Sequence, residues 1–148
     1  MKDMDIEIKI IDYASDEYEK SIDLRDQLFR KPWGLNIRDD DLSADQDMTM
    51  FGAYDKGRLI GTIFLAEDNK NIARIKSVAI DENYQGKGLG RYLMNYVEDI
   101  ARDKGYKKIN LMGRVSSQEF YEKLGYKAIS KVYDYKTIPH LDMQKDSL

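Results

Sequence analysis

Apolar and polar residues alternate at the start of the chain. Ile6, Ile8 and Ile10 are separated by charged residues until Ile11, the period of a half-buried strand over about residues 5–12. Beyond the polar stretch ASDEYEK the spacing changes: Ile22, Leu24, Leu28 and Phe29 recur at roughly helical intervals, and KPWG, with its proline and glycine, stops this first helix near Arg30. DDDLSADQDM is acidic and reads as a turn or a short helix. MFGAYDKGRLIGTIFLAED then sets two apolar runs about DKG, a tight-turn sequence, so residues 50–68 are expected to form a hairpin. NIARIKSVAID is a further strand with Ile72, Ile75, Val78 and Ile80 as its inward residues; their spacing slips from three to two, as a bulge would make it.

Between Gly88 and Lys104, Leu89, Leu93, Val97, Ile100 and Ala101 fall on one face of a helix that Gly105 ends. KINLM follows as a strand, SSQEFYEKLG as a short helix ended by Gly125, and YKAISKVYDYKTIPHLDMQK as one or two last strands. No internal repeat, low-complexity tract or linker interrupts the order β-α-(α)-β-β-β-α-β-α-β(-β), a mixed α/β sheet with helices on both faces. A length of 148 residues suits about one domain, taken as 1–148.

Charge and composition narrow the function. The 24 basic and 27 acidic residues leave a net charge of -3, against a general nucleic-acid binder, which carries a basic excess to replace phosphate counterions. The absence of cysteine excludes disulfides, a thiolate nucleophile and cysteine-ligated zinc, and suits a reducing compartment. Charges break up MKDMDIEIKI, unlike a signal peptide, and no apolar run approaches the ~20 residues that span a bilayer. The expectation is a soluble, cytoplasmic protein that binds neither nucleic acid nor membrane.

The chemistry concentrates in SVAIDENYQGKGLGRYLMNYVEDIARDKGY. Gly86, Gly88 and Gly90 lie between a strand and a helix, where the helix presents unpaired N–H groups and the positive end of its dipole. Such a site suits a phosphate or diphosphate, with Lys87 and Arg91 adding positive charge. Alternatively the glycines only make a tight turn. A dinucleotide motif fails because Arg91 stands where its third glycine belongs, and no G-K-[ST] is present for a P-loop.

Gln85-Gly86-Lys87-Gly88-Leu89-Gly90 resembles the Q/R-x-x-G-x-G/A signature of the GNAT superfamily of N-acetyltransferases. IKSVAID resembles that superfamily's fourth strand, and FYEKLGY, Phe120 to Tyr126, its second acetyl-coenzyme A motif; the likeness runs in order from Phe51 to Lys145. LRDQLFRKPWGL and IPHLDM further resemble a branch of uncharacterised bacterial GNAT acyltransferases. The resemblance implies a mixed, mostly antiparallel central sheet of six or seven strands, acetyl-CoA as co-substrate without a metal, and an amine acceptor, either a small molecule or a protein amino group. A non-catalytic coenzyme A-binding sensor on the same fold is the alternative, and a homodimer is left open.

By the same resemblance, the backbone of Val78, Ala79 and Ile80 would hold the pantetheine arm, and Gln85, Gly86, Lys87, Gly88, Leu89, Gly90 and Arg91 the diphosphate. Tyr121 would protonate the departing thiolate, its alternative being core packing beside Phe120. The base is unassigned: Arg74 stands where several members carry a fourth-strand glutamate, so deprotonation would rely on water, on an amine of low pKa or on Glu67 at the end of the neighbouring strand, which also reads as a solvated turn residue. Arg114 and Ser117 replace the asparagine and alanine of many members, and Arg114 would close over the coenzyme, pair with an acidic substrate or stand solvated at a helix start. His140, the only histidine, would be a base, an acceptor-site ligand or a structural residue, and it has no second ligand at metal-site spacing. Trp33 would either wall the acceptor pocket or plug the first helix, and Asp39 to Asp41 would either attract a cationic amine or form a solvated turn.

Overall fold

Lys56 and Gly57 both take positive φ, 51° and 81°, a turn whose twist matches that of the strands it joins, so β2 (Thr49–Asp55) and β3 (Arg58–Glu67) form a two-residue hairpin. The structure is a computed structural model and describes residues 5–148. Around the hairpin lie β1 (Ile6–Ile10), β4 (Ile72–Ile80), β5 (Lys108–Arg114), β6 (Lys127–Ala128), β7 (Tyr133–Tyr135) and β8 (Ile138–Lys145). The sheet has eight strands in the order β1-β2-β3-β4-β5-β8-β6, with β7 also on β8. Only β4 and β5 run parallel; the other pairs are antiparallel.

The count exceeds the expected six or seven because the last apolar stretch divides into three strands. β6 and β7 pair with opposite ends of β8. In the gap between them Asp142 donates its backbone N–H to the Ser130 hydroxyl at 2.8 Å, so a side chain replaces a ladder bond. The first strand is shorter than its pattern, although Ile11 N–H still donates to the Met50 carbonyl at 2.8 Å.

The helices cover both faces. α1 (Asp16–Phe29), capped by the Ser15 hydroxyl, buries Tyr18, Ile22 and Leu24 on one face with Phe64 and Ala79. α2 (Leu89–Asp103) buries Leu93, Met94, Val97 and Ala101 on the other, with Ile75 and Leu111, and Tyr121 of α3 (Gln118–Lys123) joins that core. Glu98, only 3% exposed, accepts from the Tyr126 hydroxyl at 2.8 Å and the Lys145 ammonium at 2.9 Å, tying α2 to β8. Three short 3-10 turns link α1 to β2, and the acidic DDDLSADQDM segment contributes the one at Ser43–Asp47.

Candidate active site

β4 carries the bulge its spacing implies. Thr62 pairs with Ala79 and Phe64 with Lys76, so Ser77 and Val78 together oppose Ile63. Ser77 takes a φ of 55°, and the Thr62 hydroxyl donates to its carbonyl at 2.8 Å, holding the irregularity in place. One extra residue reverses the side-chain parity. Ala73 and Ile75 pack in the α2-side core, whereas Ala79 packs on the α1 side and Val78 and Ile80 return to the α2 side.

Pairing of β4 with β5 ends at Ile75 and Leu111, and beyond it the strands part. Two pockets open there. One, of about 540 Å³, is lined by Val78 to Ile80, by the Gln85–Gly88 loop, by the first turn of α2 and by α3. The other, of about 420 Å³, lies between the end of α1, the DDDLSADQDM segment, β4 and β8. Phe29, Val78, Arg114, Ser117 and Tyr121 line both, so the two pockets meet at these side chains.

The larger pocket ends on the start of α2. Gly88 is the N-cap at φ 85°, no side chain caps the helix, and its first bond runs from Tyr92 N–H to the Gly88 carbonyl at 3.0 Å. The preceding amides of Leu89, Gly90 and Arg91 therefore point past the helix end without a partner among the described residues, an arrangement suited to a phosphate. Gly86, at φ 75°, has nothing within 4 Å of where a Cβ would stand, so the loop is open to a ligand. Gly90 is bare for another reason: a Cβ there would lie 3.2 Å from Cζ of Phe120, so its bareness lets α3 pack against α2.

Val78, Ala79, Ile80, Gln85, Gly86, Gly88, Leu89, Gly90 and Arg91 all line this pocket. Lys87 does not; its ammonium stands 5.7 Å from the Tyr84 ring. The Leu89 side chain is in the core, leaving its backbone to face the pocket. The Gln85 amide donates to the Ile80 carbonyl at 2.9 Å and so braces the loop against β4.

Tyr121 is both a core residue and a junction residue. Its ring stacks edge-on against Phe120 at 5.1 Å and Tyr126 at 6.1 Å, and lies 3.2 Å from where a Cβ on Gly113 would sit. Its hydroxyl has no hydrogen-bond partner among the described residues, yet the only sealed, unpartnered side-chain atom among them is Nε of Arg25, so the phenol opens on the pockets. Burial pushes the phenol up to about 12, opposed by the charge of Arg114. Arg114 is not solvated as its sequence position suggested. It lies 5.3 Å over the Phe29 ring, donates to the Leu28 carbonyl at 3.3 Å, and burial lowers its pKa.

His140 is a titratable group facing the smaller pocket. It is 6% exposed, lines the smaller pocket, and sits opposite Arg114 in the β5–β8 register. Nδ1 is 2.7 Å from the Ile138 carbonyl, which can only accept, so Nδ1 carries the proton and Nε2 offers a lone pair. Burial holds the imidazole below its ordinary pKa and hence neutral at pH 7. Glu67 lies outside both pockets and accepts from the Tyr106 hydroxyl at 2.7 Å. Trp33 is 47% exposed and lines neither pocket.

The acidic run does not make the smaller pocket negative. Asp40 is taken by Arg30 at 3.0 Å and Lys136 at 3.4 Å, and Asp41 accepts from the Ser43 amide and hydroxyl. No helix among the described residues is long and apolar enough to cross a membrane, and no group of His, Asp and Glu among them could hold a metal ion.

The chain matches the sequence profile of the acetyltransferase (GNAT) family over residues 10–126. It is 25% identical over 138 residues, 89% of this chain and 91% of the relative, to a Bacillus subtilis (strain 168) protein whose assignment as an acetyltransferase is itself provisional. It superimposes with a TM-score of 0.80 and 26% identity on a provisionally assigned N-acetyltransferase from Lactobacillus plantarum, covering 95% of this chain and 99% of that one. A GNAT family acetyltransferase from Elizabethkingia anophelis with acetyl-CoA bound shares the fold at a TM-score of 0.69 and 19% identity, over 95% of this chain and 97% of that one. An open sheet split between β4 and β5, a glycine loop at the start of α2 and a matching profile over most of the chain lead to one assignment: the protein belongs to the acetyltransferase (GNAT) family.

Proposed function

We propose that the protein transfers an acetyl group from acetyl-CoA to an amine by direct attack within a ternary complex. The observation that carries this reading is the junction: one pocket with an uncapped helix start and a bare strand edge meets a second pocket at Val78, Arg114, Ser117 and Tyr121. The amides at the start of α2 would hold the coenzyme's diphosphate, and the edge of Val78 to Ile80 that faces away from β3 and has no partner strand would pair with its pantetheine arm. The thioester would then lie at the junction, with the acceptor in the smaller pocket.

Two groups have tasks in that geometry, His140 in the smaller pocket and Tyr121 at the junction. His140 Nε2 removes the proton that the amine sheds as its nitrogen bonds to the thioester carbon. As the carbon–sulfur bond breaks, sulfur keeps the electron pair and Tyr121 gives it a proton. A phenol at about 12 is a weak acid toward a thiolate of ordinary pKa about 8.5, a gap of about 5 kcal/mol. Desolvation in the same pocket would raise the thiol too and narrow the gap. Thiol release from acetyl-CoA should appear with amines and be absent without them. Coenzyme binding with no turnover on any amine, amino acid or peptide would reject catalysis and leave a binding module.

A further inference from the structure

The smaller pocket is lined by five cationic side chains, Arg25, Arg30, Arg74, Lys76 and Arg114, and by the carboxylates of Asp41 and Asp45 only. Asp45 is spent on Arg25 at 3.0 Å and on the Tyr18 hydroxyl at 2.9 Å, and Asp40 neutralises Arg30 from outside the lining. Arg74 and Lys76 have no ion-pair partner among the described residues. Arg74 donates at 3.0 Å to the neutral carbonyl oxygen of Asn110, whose amide in turn donates to Asp68 at 2.8 Å. Arg25 is 4% exposed and lies 4.8 Å over the Phe64 ring; its Nη1 bonds Asp45, its Nε is sealed with no partner, and its Nη2 has none among the described residues.

These charges are crowded at a cost. Desolvation, then the neighbouring Arg74 charge, hold the Lys76 ammonium below its ordinary pKa, although the residue as a whole is exposed. A desolvated guanidinium with spare donors beside two unpaired cations is complementary to an anion.

We propose that the acetyl acceptor is an amine that also carries an anionic group, a carboxylate or a phosphate, held by Arg74 and Lys76 with Arg25 behind them. The proposal rests on the acyltransfer reading and names its substrate class. Parity places the anion: Arg74 and Lys76 precede the bulge and share one face, whereas Val78 at the junction follows it. Lys76 and Arg74 stand two and four residues from Val78, roughly 7 and 13 Å along the strand, so amine and anion are separated by several bonds.

Five probes test it with acetyl-CoA and the full chain: 4-aminobutanoate against 4-aminobutanamide, 3-aminopropyl phosphate against 3-aminopropanol, and 1,4-diaminobutane. At least one anionic amine should exceed its neutral counterpart roughly 10- to 100-fold in kcat/KM, and which one does so separates carboxylate from phosphate. Arg74→Gln should raise KM for that amine by a similar factor with kcat nearly unchanged, leave the neutral counterpart unaffected, and be rescued by Arg74→Lys. Calorimetry with coenzyme A present supplies a readout without turnover: N-acetyl-4-aminobutanoate or its phosphate analogue should bind more tightly than the neutral amide or alcohol. Equal rates and equal product binding across each pair, or preference for the diamine, overturn the anion site while leaving acyltransfer standing. Failure of acetyl-CoA itself to bind overturns the acyltransfer reading instead.

Discussion

Tyr121→Phe removes one oxygen from the junction and keeps the ring. The consequences separate because the hydroxyl has no hydrogen-bond partner among the described residues while the ring is packed against Phe120, Tyr126 and Gly113. Losing an unpartnered hydroxyl costs no buried hydrogen bond, so stability should change by less than about 0.5 kcal/mol. The chemical step loses its proton donor, which is expected to slow it by about 10²-fold or more, equivalent to about 2.7 kcal/mol of barrier. The assay is single-turnover thiol release at saturating acceptor, so that product release cannot mask the effect. A Gly113→Ala variant makes a second, independent perturbation: its Cβ would stand 3.2 Å from Cε2 of Tyr121 and push the ring by a few tenths of an ångström. It should slow the reaction several-fold and also destabilise by about 1 kcal/mol. Unchanged single-turnover rates in Tyr121→Phe would refute the acid assignment, and a stability loss without a rate loss would make Tyr121 a packing residue alone.

Gly88→Ala must hold an alanine at φ 85°, which should cost about 1–2 kcal/mol in urea denaturation and weaken acetyl-CoA binding in calorimetry; full affinity in the folded variant would remove the diphosphate from this loop. The buried His140 imidazole binds protons less readily folded than unfolded. Stability should therefore rise with pH up to about 6.5 and fall away as pH drops below it, a dependence His140→Gln should flatten. The same variant should abolish the acidic limb of the rate profile, and persistence of that limb would exclude His140 as the base. Glu98→Gln leaves Lys145 without its partner beneath α2; because Lys145 is partly solvated, the loss should be about 2 kcal/mol, seen as a lower urea midpoint at unchanged m-value, and a loss under 0.5 kcal/mol would show that the tether carries little.

Local patterns were readable where a short run of residues sets its own geometry. The DKG hairpin, the apolar face of α2, the Ser77 bulge and the start of α2 all follow from spacing within about a dozen residues. Groups whose surroundings come from distant segments were not. Arg114 reads as a helix-start arginine until Phe29 is seen beneath it, and Asp40 reads as a solvated acid until Arg30 and Lys136 are seen on either side. Gly90 looks like part of the phosphate motif, while its lack of a side chain answers to Phe120 on another helix. The polarity of the smaller pocket was not legible for the same reason: a run of three aspartates is obvious in sequence, and the arginines that outnumber the carboxylates there come from α1 and its C-cap, β4 and β5.

The single inserted residue in β4 has a consequence for how such a protein can change. Because parity flips at Ser77, positions 74 and 76 and positions 78 and 80 belong to opposite faces of one continuous strand. On the proposed reading, substitutions in the first pair would retune which acceptor is admitted and those at Ile80 would adjust the grip on the donor, while Val78, which lines both pockets, bears on both. A lineage could therefore diversify its acceptors by point mutation while inheriting its donor site intact. Straightening the bulge with Ser77 kept in the strand would remove that independence in one step, because every side chain beyond it would exchange sides.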